Sequence, residues 1–235
     1  MANAPRELKF LLAVPEKKLL QAIARRVPRR LRPNDFTLLG VLAATAAGAA
    51  YALARHHPAW LWVASGFLIL QWFGDSLDGT LARVRKTERP RYGYYLDHVT
   101  DAYSTAVIGV GIGLSHYIHF GLALGLVVLY LVLSINVYLE TQVLGTFELG
   151  YGLLGPTEVR LILVAANTAL ALYREVPGSA WPTIVTIANA AVAVLLVTML
   201  GLLVARFARN VRVLARLEPQ PLRTGAPRIA PAGTR

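Results

Sequence analysis

Six long apolar runs separated by short polar connections organise the chain, at residues 36–54, 58–82, 94–118, 120–144, 158–173 and 181–205. A helix crosses the bilayer core with about 20 mostly apolar residues, so each run reads as one membrane span. The fifth is the shortest and opens on charge. The first, TLLGVLAATAAGAAYALA, is built largely from small residues, which predicts close approach of neighbouring helices and no chemistry of its own. Ahead of it, residues 6–32 mix Leu, Phe, Ile and Ala with Lys and Arg and are interrupted by Pro15 and Pro28. That mixture predicts an amphipathic helix lying along the membrane surface. A basic anchor accounts for it as well as a role in guiding substrate does. The expected fold is therefore all-α and integral to the membrane. It has an N-terminal interfacial amphipathic helix within 1–35, six transmembrane helices within 36–207, and a basic, partly disordered tail over 208–235.

Composition agrees with this picture. Of the 235 residues 55% are hydrophobic and 16% charged, and the mean hydropathy of +0.49 lies outside the range of a soluble domain. The net charge is +11, from 24 Lys and Arg against 13 Asp and Glu. Because the basic residues avoid the apolar runs, the expected partner is an anionic lipid surface and not nucleic acid. With both termini in the cytoplasm, six spans leave only Arg55 and Arg174 on the outer side. The positive-inside rule requires such a bias, and removing any one span would destroy it. A multi-pass protein with both termini cytoplasmic is the expectation. The absence of cysteine excludes disulfides and thiolate chemistry.

Four residues do not suit passive membrane helices. Asp75, Asp78, Asp97 and Asp101 lie in or at the edge of the second and third runs. An Asp at the centre of a span costs about 2.5–3.5 kcal/mol on insertion scales, and a folding role does not explain four. The first pair is spaced i, i+3 and the second i, i+4, so each projects from a single helix face. The basic connection ARVRKTERPRYG, with Pro90 and Gly93, predicts that the second and third spans are antiparallel neighbours whose acidic faces meet at one depth. Carboxylates that close repel one another and take up protons unless a cation neutralises them. Mg²⁺ or Mn²⁺, as one ion or a pair, is the natural occupant of an all-oxygen site. Gly79 and Ala82 leave room for a bulky group against the backbone, and Arg83 can meet phosphate oxygens. The constellation points to metal-assisted transfer at a diphosphate ester on the cytoplasmic membrane surface.

In order and spacing, Asp75, Asp78, Gly79, Ala82, Arg83, Gly93, Asp97 and Asp101 match the signature of the CDP-alcohol phosphotransferases, which this sequence resembles. The variable gap between Arg83 and Gly93 is nine residues here. The resemblance implies a six-span catalytic membrane domain in which Asp75, Asp78 and Asp97 hold the metals that bridge the donor diphosphate. Asp101 would contribute to the second metal and act as the general base on the attacking alcohol. Gly79, Ala82 and Arg83 would hold the cytidine diphosphate, and Gly93 would give it room. Asn34 and Thr37, following Pro33, resemble the family's Pro-Asn-x-x-Thr start of the first span, which borders the nucleotide. No feature of the residues alone separates Asp101 from Asp97 as base. The resemblance also implies a homodimer, CDP-linked donor, lipid and alcohol substrates, and two Mg²⁺ or Mn²⁺ ions.

Further polar residues are candidates for the acceptor side. Glu140 lies late in the fourth span, where an interhelical hydrogen bond explains it as well as an acceptor contact. Glu158 and Arg160 open the fifth span, where they either bind the acceptor or pair at a helix N-terminus. His98 follows the third Asp, as in choline and ethanolamine phosphotransferases, but Tyr94 stands where those enzymes carry an acid. The reading that follows is phosphatidyl transfer from CDP-diacylglycerol to a polar alcohol with release of CMP. Transfer from CDP-choline or CDP-ethanolamine to diacylglycerol is the alternative. An ion-coupled transporter is the rival from another class, although it would place its carboxylates near the midplane between repeated halves.

Overall fold

The computed structural model describes residues 12–144, 155–174 and 181–219, and all regular structure among them is helical. The elements are α1 (Ala13–Ala24), α2 (Pro33–Leu53), α3 (Trp60–Val84), α4 (Pro90–Leu114), α5 (Phe120–Leu144), α6 (Pro156–Arg174) and α7 (Trp181–Leu217). One helix corresponds to each apolar run, but the boundaries differ for physical reasons. Three helices, α2, α4 and α6, begin on a proline, whose fixed φ and missing N–H suit the first helical turn, so each starts before its first apolar residue. Asp35 braces the start of α2 by accepting from the Arg32 backbone N–H at 2.7 Å. The fourth helix stops at Leu114 rather than 118, because His116 takes a left-handed conformation with φ 66°. The last helix runs through the expected domain boundary at 207 to Leu217, since its sequence meets no glycine or proline there. The final stretch of the expected disordered tail lies outside the described residues.

Three of the helices, α2, α5 and α7 from Pro182, are long and apolar enough to cross a membrane. Of the remaining long helices, α3 and α4 carry the four aspartates with Arg83 and Arg91, which dilutes their apolar character. The protein is an integral membrane protein.

The second helix is the centre of the bundle. It packs against both α3 and α4; α4 then packs on α5, α5 on α7, and α3 on α6 and α1. Glycine makes these contacts close. A Cβ on Gly74 of α3 would lie 2.6 Å from the Gly40 nitrogen, and one on Gly111 of α4 would lie 2.3 Å from the Gly48 oxygen. The small-residue first span therefore does what its composition implies. The consequence corrects one expectation: α3 and α4 are not packed neighbours, because α2 is wedged between them. At one end of the bundle Leu20 and Ala24 of α1 bury against Phe36, Leu77 and Leu81. At the other, Tyr51, Leu61, Leu68 and Tyr117 form the core with the alanines of α2.

Candidate active site

With α2 as spacer, the faces of α3 and α4 look at each other across a cleft. Thr37, Gly40 and Val41 of α2, Gln71 and Asp75 of α3, and Thr100 and Ser104 of α4 line its narrow inner part, of about 10 Å³. That is room for one water-sized group. Gln71 is 2% exposed and its Oε1 has no hydrogen-bond partner.

The four aspartates gather here. Their charges act on one another, Asp75 on Asp78 and Asp97, and Asp101 on all three. All four are partly buried. Their partners differ. Asp75 Oδ2 receives Arg160 Nη2 at 2.8 Å. Asp78 Oδ2 accepts from Thr37 Oγ1 at 2.5 Å, and its Oδ1 accepts from the Gly79 backbone N–H. Asp97 Oδ2 lies 3.7 Å from His98 Nδ1. Among the described residues Asp101 accepts no hydrogen bond.

None of the groups expected around a nucleotide is fully buried. Gly79 and Arg83 adjoin, since a Cβ on Gly79 would sit 3.4 Å from the Arg83 guanidinium. That guanidinium is exposed and donates to Thr80 Oγ1 at 3.1 Å. Ala82 is partly buried beside it. Gly93 is exposed, with open space where a Cβ would be. Asn34 Nδ2 donates to the Tyr92 hydroxyl at 2.9 Å, and Arg89 stacks over the Tyr92 ring at 3.8 Å. A basic and aromatic rim thus joins the start of α2 to the start of α4.

The acceptor-side candidates separate. Arg160 reaches the aspartates through Asp75. Glu140 is bound by Arg206 Nε at 2.5 Å and Arg209 Nη2 at 2.8 Å, which fastens α5 to α7. Glu158 accepts from the Leu12 and Gly155 backbone N–H groups, each at 2.9 Å, which fastens α6 to the start of α1. His98 is held between the rings of Tyr94 and Tyr138, with centroids 4.0 and 4.5 Å away, and its Nδ1 lies 2.7 Å from the Tyr94 carbonyl oxygen.

Two residues of this region escaped the sequence reading. Glu16 of α1 accepts from Trp72 Nε1 at 2.8 Å, Ser76 Oγ at 3.2 Å and Thr157 Oγ1 at 2.9 Å. Its signal is its position: it is the one acid of α1 and lies on the stripe of Ala13, Leu20 and Ala24, which α1 buries. Arg85 donates to the carbonyls of Val27, Pro28 and Leu31 and so pins the connection between α1 and α2. Only the fold brings those carbonyls to it.

The donor set suits a hard divalent cation, being four carboxylates with the Thr37 hydroxyl beside them. Among the described residues no three acidic or imidazole groups converge on a single point as a closed protein cage would require. Mg²⁺ is ordinarily held by one or two carboxylates completed by substrate phosphates, so an open pairwise array is compatible with it. Comparison with known proteins agrees with the motif: the family model described as CDP-alcohol phosphatidyltransferase matches residues 30–200. A comparison with curated proteins finds no match.

Proposed function

The chain belongs to the CDP-alcohol phosphatidyltransferase family, and from that premise we propose that the cleft between α3 and α4 transfers a phosphatidyl group from CDP-diacylglycerol to a polar alcohol. Members of the family transfer substituted phosphate groups in phospholipid synthesis and generally depend on a divalent metal, so the chain is an enzyme of this class. The finer reading is ours. It rests above all on one observation: four carboxylates whose charges act on one another gather where α2, α3 and α4 meet, and among the described residues Asp101 accepts no hydrogen bond.

Asp75, Asp78 and Asp97, with a share from Asp101, would hold two Mg²⁺ or Mn²⁺ ions. Such ions, when bound, neutralise the diphosphate and make CMP a better leaving group. The remaining work falls to the chain. Arg83, exposed beside the small Gly79 and Ala82, binds diphosphate oxygens where the nucleotide lies against the backbone. Asn34, Thr37 and Gly93 border the same nucleotide. Asp101 orients the acceptor hydroxyl and takes its proton as that oxygen attacks phosphorus. One P–O bond forms, the P–O bond to CMP breaks, and the proton ends on an Asp101 carboxylate oxygen. Arg160 and His98 stand nearest the aspartates on the acceptor side. We assign Glu140 and Glu158 to fastening helices, because their oxygens are occupied by donors.

Loop charge supports six spans with the cleft and both termini at the cytoplasmic face. The domain division at 1–35, 36–207 and 208–235 and a homodimer complete the proposal. The deciding experiment incubates purified protein and Mg²⁺ with two substrate pools and measures CMP release. CDP-diacylglycerol with polar alcohols is the expected productive pool. Release only from CDP-choline or CDP-ethanolamine with diacylglycerol would reverse the assignment of the lipid to the donor.

A further inference from the structure

The Asp75–Arg160 pair is not an isolated contact between two helices. Its side chains are 22% and 18% exposed, and a single carboxylate oxygen, Oδ2, faces the guanidinium. Both helices are gripped by one residue at the turn where the pair forms. Glu16 receives Ser76, which directly follows Asp75, and Trp72, one turn before it on α3. Through its other oxygen it receives Thr157, one turn before Arg160 on α6. The grip is returned, since Glu158 of α6 accepts from the Leu12 N–H at the start of α1. Four hydrogen bonds therefore tie α1 to the two elements that carry the pair, three of them through Glu16.

Building on the reading of Asp75 as a metal ligand, we propose that Arg160 is a positioning residue for Asp75 and that the surface helix α1, through Glu16, sets this pair. A carboxylate among three others is pushed away from them by their charge. A cation fixed behind it opposes that push and selects one rotamer. Ligating carboxylates are held in this manner by outer partners, whose loss typically weakens metal binding about 10- to 100-fold. Asp78 is held by neutral partners instead, Thr37 on its Oδ2 and the Gly79 N–H on its Oδ1. Arginine suits the position behind Asp75 because its planar fork holds a carboxylate in a fixed direction, which a lysine ammonium does not. The interfacial helix is on this account a wall of the active-site frame as well as an anchor.

The test reads Mn²⁺ affinity of the full-length protein in detergent, without nucleotide, from the free-ion spin-resonance signal. R160Q is expected to bind Mn²⁺ about 10- to 100-fold more weakly, R160K to recover part of the loss, and E16A to weaken binding by a smaller factor. In a D75N background R160Q should cost little more, whereas T37V should still cost its full factor, because the two partners serve different aspartates. A merely structural Arg160 would show no such dependence on Asp75. Folded R160Q with wild-type or tighter Mn²⁺ binding overturns the proposal, the tighter case meaning that the guanidinium competes with the ion. Should R160Q fail to fold, R160K at full affinity overturns it equally. Wild-type affinity in E16A overturns the part assigned to α1. The D78N variant keeps the underlying reading separate: Mn²⁺ binding indifferent to D78N defeats the aspartate site itself. Loss in D78N with none in R160Q defeats only the role of Arg160.

Discussion

Seven carboxylates among the described residues fall into two groups. Glu16, Glu140 and Glu158 have both oxygens engaged, each by at least one donor from another element, and each fastens one helix to another. Of the aspartates of α3 and α4, Asp78 receives Thr37 and the N–H of its own neighbour Gly79, Asp75 is engaged through Oδ2, and the Asp97 and Asp101 carboxylates accept no hydrogen bond among the described residues. A carboxylate held by donors on both oxygens is fixed in place by them, so its place in the membrane is explained by the bonds it makes. A carboxylate kept short of donors beside three others costs energy that folding does not return. The difference in partners sets Asp75, Asp97 and Asp101 apart from the fastening glutamates.

The largest effect expected from breaking this division is at Asp101. Asp101→Asn should leave the protein folded and able to bind the CDP-linked donor, because three carboxylates and Arg83 remain. CMP release should nevertheless fall by about 10²- to 10⁴-fold with the loss of the proton acceptor. Calorimetric donor affinity measured beside CMP release checks this. Loss of donor binding as complete as in Asp78→Asn would make Asp101 chiefly a metal ligand.

Glu140 tests the other group. Glu140→Ala leaves the Arg206 guanidinium, 10% exposed, without its carboxylate. Breaking such a buried pair costs about 3 kcal/mol of stability, so thermal unfolding in detergent should shift down clearly. The rate per folded molecule should hold, and a selective rise in KM for the alcohol would return Glu140 to the acceptor site.

A smaller effect is expected where α2 separates the two acidic faces. Gly74→Ala places a methyl 2.6 Å from the Gly40 nitrogen. Overpacking against backbone costs about 2 kcal/mol, and by prising α2 from α3 it should lower both unfolding temperature and turnover. Thr37→Val is the mildest change. It removes the hydroxyl that Asp78 accepts while keeping volume, and Mn²⁺ affinity should weaken about tenfold with the unfolding temperature nearly unchanged.

Much of the site was legible before any fold was known, because its spacing is local. Asp75 with Asp78, and Asp97 with Asp101, share helix faces by the 3.6-residue repeat alone, and Gly79, Ala82 and Arg83 follow within the next turns. The number and rough extent of the helices were legible for a similar reason, since an apolar run and its flanking prolines act on the chain at that point. What the sequence determined by itself is thus whatever depends on neighbours in the chain: the helices, the acidic faces and the small-residue surface of α2. Tertiary structure decided which surfaces meet. It put α2 between α3 and α4, opening a cleft where direct packing was expected. It turned Glu140 and Glu158 into fasteners by bringing Arg206, Arg209 and the Leu12 N–H to them. It also carried Glu16 across to Trp72, Ser76 and Thr157. The physical reason is that a hydrogen bond between residues far apart in the chain depends on helix packing, and no periodicity of either segment encodes its partner.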